Sequence, residues 1–418
     1  MSLLTTPRQL PAFQHLYWRH YIATPHRMFF FGGVWALVLS MLWWGLVLWA
    51  RHHGWAIADN QLLPSSIHGW LMVFGAFPFF IFGFLMTVLP RWLNVAPTSP
   101  VLYRPAALCM LAGYLLTFFG AFFSATLVIA GMALTVAAWL VSVLILIQHF
   151  YRSSADAKLH PIWTYILLAV GGIGAYMALY GAHTKDWQAL LFAPTFGIWA
   201  FLAPMVFVVS HRMIPFFSKA ALGEHSMYRP KWAPPVVVLL FWCHVALSMN
   251  GLSQWLLVSD IPLAAITLWH WYRWQPWTAR RVPLLWTLYT AFAWLPIALM
   301  LSSAQSLTLL LSGTYILGLA PLHALAIGLV TSMVVAMVTR VSLGHSGRPL
   351  RMDRLSIVSF LLLQVAVVAR ICAEINHPFA DRSVLLMIAT VFWLVALLPW
   401  AVRFSLIYWQ PRVDGQPG

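Results

Sequence analysis

The chain has 418 residues, 62% of them hydrophobic and only 8% charged. A water-facing domain carries charge on about a quarter of its residues, so a soluble fold is excluded and most of the chain is solvated by the lipid bilayer. The net charge of +15 then belongs to loops beside an anionic leaflet, and no nucleic-acid partner is expected, because no stretch reads as a phosphate-tracking patch.

Runs free of charge mark the spans, since an ionised side chain at the bilayer centre costs at least about 2.5 kcal/mol. Residues 1–27 hold Arg8, Arg19 and Arg27 among prolines and aromatics and read as a cytoplasmic segment; the apolar run that follows has no cleavage site. The first span runs from Met28 to Ala50 and the second from Ile67 to Leu89. The uncharged interval from Pro105 to Tyr151 is about twice the ~20 residues one helix needs, so it folds back near Ser124 into spans three and four. Spans five and six are Pro161 to Ala182 and Trp187 to Ser210. Trp232 to Tyr272 holds spans seven and eight, reversing either at Asn250-Gly251 or at Ser259-Asp260-Ile261-Pro262. Asp260 is read as an outer-loop residue, in preference to a buried carboxylate. Pro283 to Ser303 and about 20 residues ending at Thr339 are spans nine and ten; Ser356 to Ile375 and Val384 to Ile407 complete the set.

The positive-inside rule tests this count, because one missed or invented helix would swap the sides of every later loop. The two chain ends and the loops after spans two, four, six, eight and ten hold 20 of the 24 Lys and Arg, and the other loops hold 4. The expected architecture is all-α: one polytopic integral membrane bundle of twelve transmembrane helices over residues 28–408, with both termini cytoplasmic and a tail at 409–418. The longest connections, Arg51 to Ser66 and His211 to Lys231, leave no room for a soluble domain. Trp43, Trp44, Trp269 and Trp271 fall near span ends, where an interfacial belt accounts for them. Cys109, Cys243 and Cys372 lie far apart in apolar stretches, which excludes a disulfide framework and any CxxC motif.

Orientation gives each histidine a depth. His149, His211 and His270 fall at cytoplasmic ends, where snorkelling or a carbonyl partner accounts for them. His244, inside span seven, must find either a hydrogen-bond partner or a metal. His68 opens span two on its outer side, and His323 lies about two turns inside the outer end of span ten. Ionisable groups at membrane depth are functional candidates by default, so His68 and His323 are read as ligands of iron or copper. Met72 and Gly75 follow His68 on one helical face; Gly75 would admit a flat macrocycle, or else it is a helix-packing glycine. The exposed His52-His53 pair, His183 and His377 are read as solvated, and Arg370 with Glu374 as an i,i+4 pair.

Three segments resemble the NnrS family of bacterial membrane proteins. The second span reads HGWLMVFGAFPFFIFGFLMTVLPRW, the sixth ends HRMIPFF, and the tenth reads LHALAIGLVTSMVVAMVTRVSLGHSGRPL, its Thr-Arg-x-Ser-Leu-Gly-His-x-Gly-Arg-Pro-Leu being the most specific part. Weaker similarity extends over nearly the whole chain. Where many members resemble His-Ala-His, this chain has His68-Gly69-Trp70, so a second imidazole is replaced. The resemblance implies a haem- and copper-containing protein of the bacterial inner membrane, multi-pass, linked to denitrification and to nitrosative stress, with nitric oxide or a related small molecule as ligand. His68, His323, Gly75 and Arg340 are the residues assigned to the cofactor site, and His68, His323 and His244 those assigned to metal. Arg340 opens an inner loop whose cations suit propionates or an acidic partner, although the positive-inside rule also accounts for them.

Two other functions compete. A haem-copper oxidoreductase subunit resembling nitric oxide reductase requires close histidine pairs on single helices, and no predicted span carries two. A secondary transporter places acids or broken helices at the midplane; only Asp260 and the region from Gly318 to Gly328 qualify.

Overall fold

The computed structural model describes residues 17–55, 62–156, 158–223, 226–375 and 381–416, so His377 and Asp59 lie outside the described residues. Among them there is no strand. A single turn, Trp18–Tyr21, precedes twelve helical rods: α1 (Pro25–His53), α2 (Pro64–Trp92), α3 (Pro100–Phe123), α4 (Ala125–Tyr151), α5 (Leu159–Thr184), α6 (Trp187–Leu222), α7 (Ala233–Met249), α8 (Leu257–Arg273), α9 (Pro283–Ser312), α10 (Ala320–His345), α11 (Arg354–Cys372) and α12 (Arg382–Trp409). Ten of them are long and apolar enough to cross a membrane. The exceptions, α7 and α8, have 17 residues each, or about 25 Å of rise.

Most rods outrun the charge-free stretches that predict them. Arg, Lys and His at the ends carry their charge outward along a long or amphipathic side chain while the backbone stays helical. Consequently α6 does not end at Ser210 but continues to Leu222, which turns the predicted inner loop from His211 into three more helical turns. Likewise α5 carries His160 and His183, α10 carries His323 and His345, and α1 carries His26, His52 and His53, so the expectation of at most one histidine per span is corrected. The partners sit at opposite ends of α5 and α10. The reversal between α7 and α8 occurs at Asn250-Gly251, with Gly251 at φ +69°. Asp260 is therefore not a loop residue: it lies in the first turn of α8 with no exposed surface.

Ser124 alone links α3 to α4, and its hydroxyl accepts from Leu127 N to cap the second helix. The seam is built from small residues placed symmetrically about that turn. A Cβ on Gly113 would meet Thr135 N at 2.7 Å, one on Gly120 would meet Val128 N at 2.6 Å, and one on Gly131 would meet Thr117 N at 2.4 Å. Backbones this close are the membrane form of small-residue packing.

Three rods form the centre. In α2, α6 and α10 the apolar stretch is 83%, 67% and 78% buried, against 61% or less in the others. These same three each contain a π-helical segment, starting at Leu71, Gly197 and Ala324, so the plan repeats at intervals of about 126 residues, or four helices. The cause is local. Pro78 and Pro204 stand seven residues after the first two starts and cannot donate to the preceding turn, which widens it. At the matching place in α10, Thr331 and Ser332 donate their hydroxyls to the carbonyls of Ala326 and Ile327, five residues back.

The first and last described segments meet. Tyr17 N donates to Trp409 O at 3.0 Å, and the buried Arg27 guanidinium donates to the carbonyls of His20, Tyr408 and Gln410 at 3.1, 3.3 and 2.8 Å. This end of the bundle is the terminal end and the opposite one the distal end. Because the Gly131 contact is with backbone, which cannot yield, Gly131→Leu should part α3 from α4 at a cost of about 1–3 kcal/mol. The expected reading is a lowered thermal midpoint of the detergent-solubilised protein.

Candidate functional site

At the distal end α2 and α10 bring together the two histidines assigned from sequence. His68 and His323 lie within electrostatic reach of each other and of Arg370. The His68 ring stacks on Trp44, centroids 4.3 Å apart and 14° from parallel, and its Nδ1 is buried with no hydrogen-bond partner. Trp44 is therefore a wall of the site and not only a belt residue; its neighbour Trp43 is buried. Gly69 is required here, because a Cβ would sit 2.5 Å from the Pro194 ring of α6. His323 Nδ1 donates to Leu319 O at 3.0 Å, which leaves Nε2 as the lone-pair nitrogen. Leu319 N in turn donates to Glu374 at 3.3 Å, and Glu374 pairs with Arg370 as expected and also with Arg382. Gly75 faces elsewhere: its missing Cβ looks onto the Tyr114 ring at 3.1 Å, and Tyr114 bonds to Ala36 O and Ser40 on α1. The space beside Gly75 is filled by an aromatic ring of α3.

A second distal group surrounds His244. Its Nδ1 meets Asp260 Oδ1 at 2.7 Å, and Ser259 donates to the same oxygen at 3.2 Å, while Asp260 Oδ2 is buried without a partner. Trp199, in the π-helical part of α6, stacks on the imidazole at 3.7 Å between centroids. His244 and Trp199 line a polar cavity of about 110 Å³ with Ser248, Ser302, Gln305 and Ser306. An imidazole whose Nδ1–H is held by a carboxylate presents Nε2 as an oriented lone pair, the arrangement common behind metal-bound histidine.

Between α2, α6 and α10 a cleft of about 80 Å³ is lined almost wholly by apolar side chains, among them Phe80, Phe84, Met205, Met333 and Met337. The terminal end beyond it is basic. His26 lies against His345, centroids 4.7 Å apart, and its Nδ1 is buried without a partner. The Arg340 guanidinium sits 4.2 Å from the Phe217 ring centroid, and no ion pair among the described residues includes it.

The model of the family described as NnrS protein matches residues 20–412. The chain belongs to the NnrS family. A comparison with curated proteins finds no match. The three central rods of this NnrS-family protein are the ones whose sequences carry the resemblance, so the family motifs and the widened helices coincide.

Several residues escape a reading by charge-free runs. Asp260 interrupts the Trp232 to Tyr272 run and reads there as a loop residue, His160 sits at the edge of a run, and His26 and His345 lie just outside theirs. His149 is buried and bonds to Thr98 at 3.0 Å, and His270 Nδ1 donates to Ile266 O at 2.8 Å, the carbonyl partner expected of a helix end. His211 instead meets another histidine. For the His244–Asp260 pair, removing either partner leaves a buried polar group unpaired, so His244→Ala and Asp260→Ala should each cost about 1–3 kcal/mol. The double substitution should cost less than the two together, with a coupling of about 0.5–3 kcal/mol in a thermal-unfolding cycle; simple additivity would mean that the pair contributes nothing.

Proposed function

We propose that the protein is a haem- and copper-binding, multi-pass protein of the bacterial inner membrane that acts in the nitric oxide and nitrosative stress response associated with denitrification. The reading includes twelve membrane spans, both termini in the cytoplasm, and the distal end facing the periplasm. It is supported by family membership together with the sequence resemblance, and by one observation above all. Two imidazoles from different central rods converge at the distal end, one with an unpartnered buried nitrogen and the other with its lone pair fixed by a carbonyl bond.

That donor set fits iron or copper, which both accept neutral imidazole nitrogen. His323 and His68 would hold the metal cofactor, with His244 as a further ligand oriented by Asp260. Such a centre, when bound, supplies reversible binding of a diatomic ligand and one-electron chemistry. Trp44 covers one face of His68, and farther toward the terminal end the cleft between α2, α6 and α10 offers an apolar compartment into which an uncharged diatomic molecule partitions. Arg340 and its basic neighbours mark the cytoplasmic side in this reading, and suit propionates or an acidic partner.

A secondary transporter is the second reading, favoured by the buried carboxylate of Asp260 and by the three widened helices. An optical spectrum of the purified protein separates the two: a Soret band is expected, and a colourless protein would favour transport. His323→Ala should shift or abolish that band or lower bound copper, whereas His149→Ala at the terminal end should leave both intact; retention of the full wild-type spectrum and metal content by His323→Ala would remove the distal centre. For topology, tags at both termini should report cytoplasm and one inserted near Asp59 should report periplasm. A periplasmic C-terminus would imply an odd number of spans.

A further inference from the structure

The apolar cleft is walled by α1, α2, α6 and α10, and three of those rods continue from its lining into a basic residue at the terminal end. On α1 His26 stands one turn beyond the lining residue Phe30, on α10 His345 stands one turn beyond Val341, and on α2 Arg91 stands two turns beyond Phe84. The three form one group in space. The ring centroids of His26 and Phe30 are 5.9 Å apart and those of His26 and His345 4.7 Å, and Arg91 acts electrostatically on both imidazoles.

This group has bonding capacity to spare. His26 is 2% exposed and its Nδ1 has no partner, a state that costs free energy until something bonds to it. The charged side chains that act on the two imidazoles are Arg27, Arg91 and Arg412, all cations. Arg27 is spent on three carbonyls and Arg412 is paired with Asp414. Arg91 is exposed and takes part in no ion pair among the described residues.

The cleft behind the group is long and narrow. Its α10 wall from Val330 to Val341 rises about 16 Å, while the open space is only about 80 Å³. Such a space suits one unbranched chain and not the paired chains of a phospholipid. Met205, Met333 and Met337 in its walls are flexible enough to follow a chain. The cations at the mouth select the head: a carboxylate only accepts hydrogen bonds, and a guanidinium meets it with two parallel ones. We propose that the cleft binds a fatty acid, with its carboxylate held by Arg91, His26 and His345 and its single chain running between α2, α6 and α10 toward the widened turns. The exposure of Arg91 keeps the charged head at water while the chain is buried, as an amphiphile requires.

The proposal goes beyond the haem and copper reading and uses none of the residues assigned to those groups, so its test needs no cofactor signal. The full-length protein in phosphatidylcholine nanodiscs is photolabelled with dodecanoate carrying a diazirine at its far end, and the adducts are located by peptide mass spectrometry. The label should fall on the inner end of the cleft, at Phe77, Leu202 or Val330, and unlabelled dodecanoate should displace it. The uncharged methyl ester should not. Arg91→Gln should weaken binding about 10- to 100-fold, the loss of a charge-assisted hydrogen-bonded pair, and Val338→Trp, which fills the cleft, should abolish labelling there. Displacement by the methyl ester as effective as by the acid would show that no head is recognised, and displacement by phosphatidylglycerol in preference to dodecanoate would give the site to a phospholipid; either overturns the proposal. So would labelling confined to exposed residues such as Leu140 and Val395. These arms use the wild-type protein, so they decide the matter even if Val338→Trp does not fold, and a normal haem and copper complement has no bearing on them.

Discussion

Inside a lipid-solvated bundle a polar group has only the protein to bond with, and each one left alone costs several kcal/mol. That demand organises the structure. It explains why Arg27 reaches three carbonyls, why Tyr114 and Tyr289 bond across rods to Ser40 and Ser218, and why Trp400 donates to Thr339 at 3.0 Å. It also gives meaning to the exceptions. The unpartnered nitrogens of His26, His68 and His270 and the free oxygen of Asp260 stand out because so much of the polar interior is paired.

The three central rods turn that demand into architecture. A widened turn frees carbonyls and rotates the residues beyond it, so each of α2, α6 and α10 changes the face it presents about a third of the way from its distal start. Distal to the widened turns the bundle is polar, with the His244 cavity and the two convergent imidazoles; toward the terminal end it is apolar between the rods and basic at the rim. The four-helix period places these changes at one level in all three rods.

Helix positions were legible because charge is so sparse: the α3–α4 reversal at Ser124 and the placing of His68 and His323 toward the same end of their rods both follow from it. Rod lengths were not, because a snorkelling Arg or His ends a hydropathy run without ending a helix. Asp260 shows the same limit from inside. A carboxylate in an apolar run reads as a loop until its imidazole partner, sixteen residues away and on another rod, is known. The π-helical period was invisible for a different reason, since Pro78 and Pro204 loosen two of the rods by a missing N–H whereas the Thr331-Ser332 pair loosens the third with its hydroxyls, so no one residue type marks all three.

The clamp between α1 and the end of α12 bears on biosynthesis. The carbonyls of Tyr408 and Gln410 that receive Arg27 are translated more than 380 residues after the guanidinium that needs them. Until α12 inserts, the first rod carries a cation with most of its acceptors missing. A chain cut short before α12 would leave that guanidinium with the His20 carbonyl alone of its three acceptors.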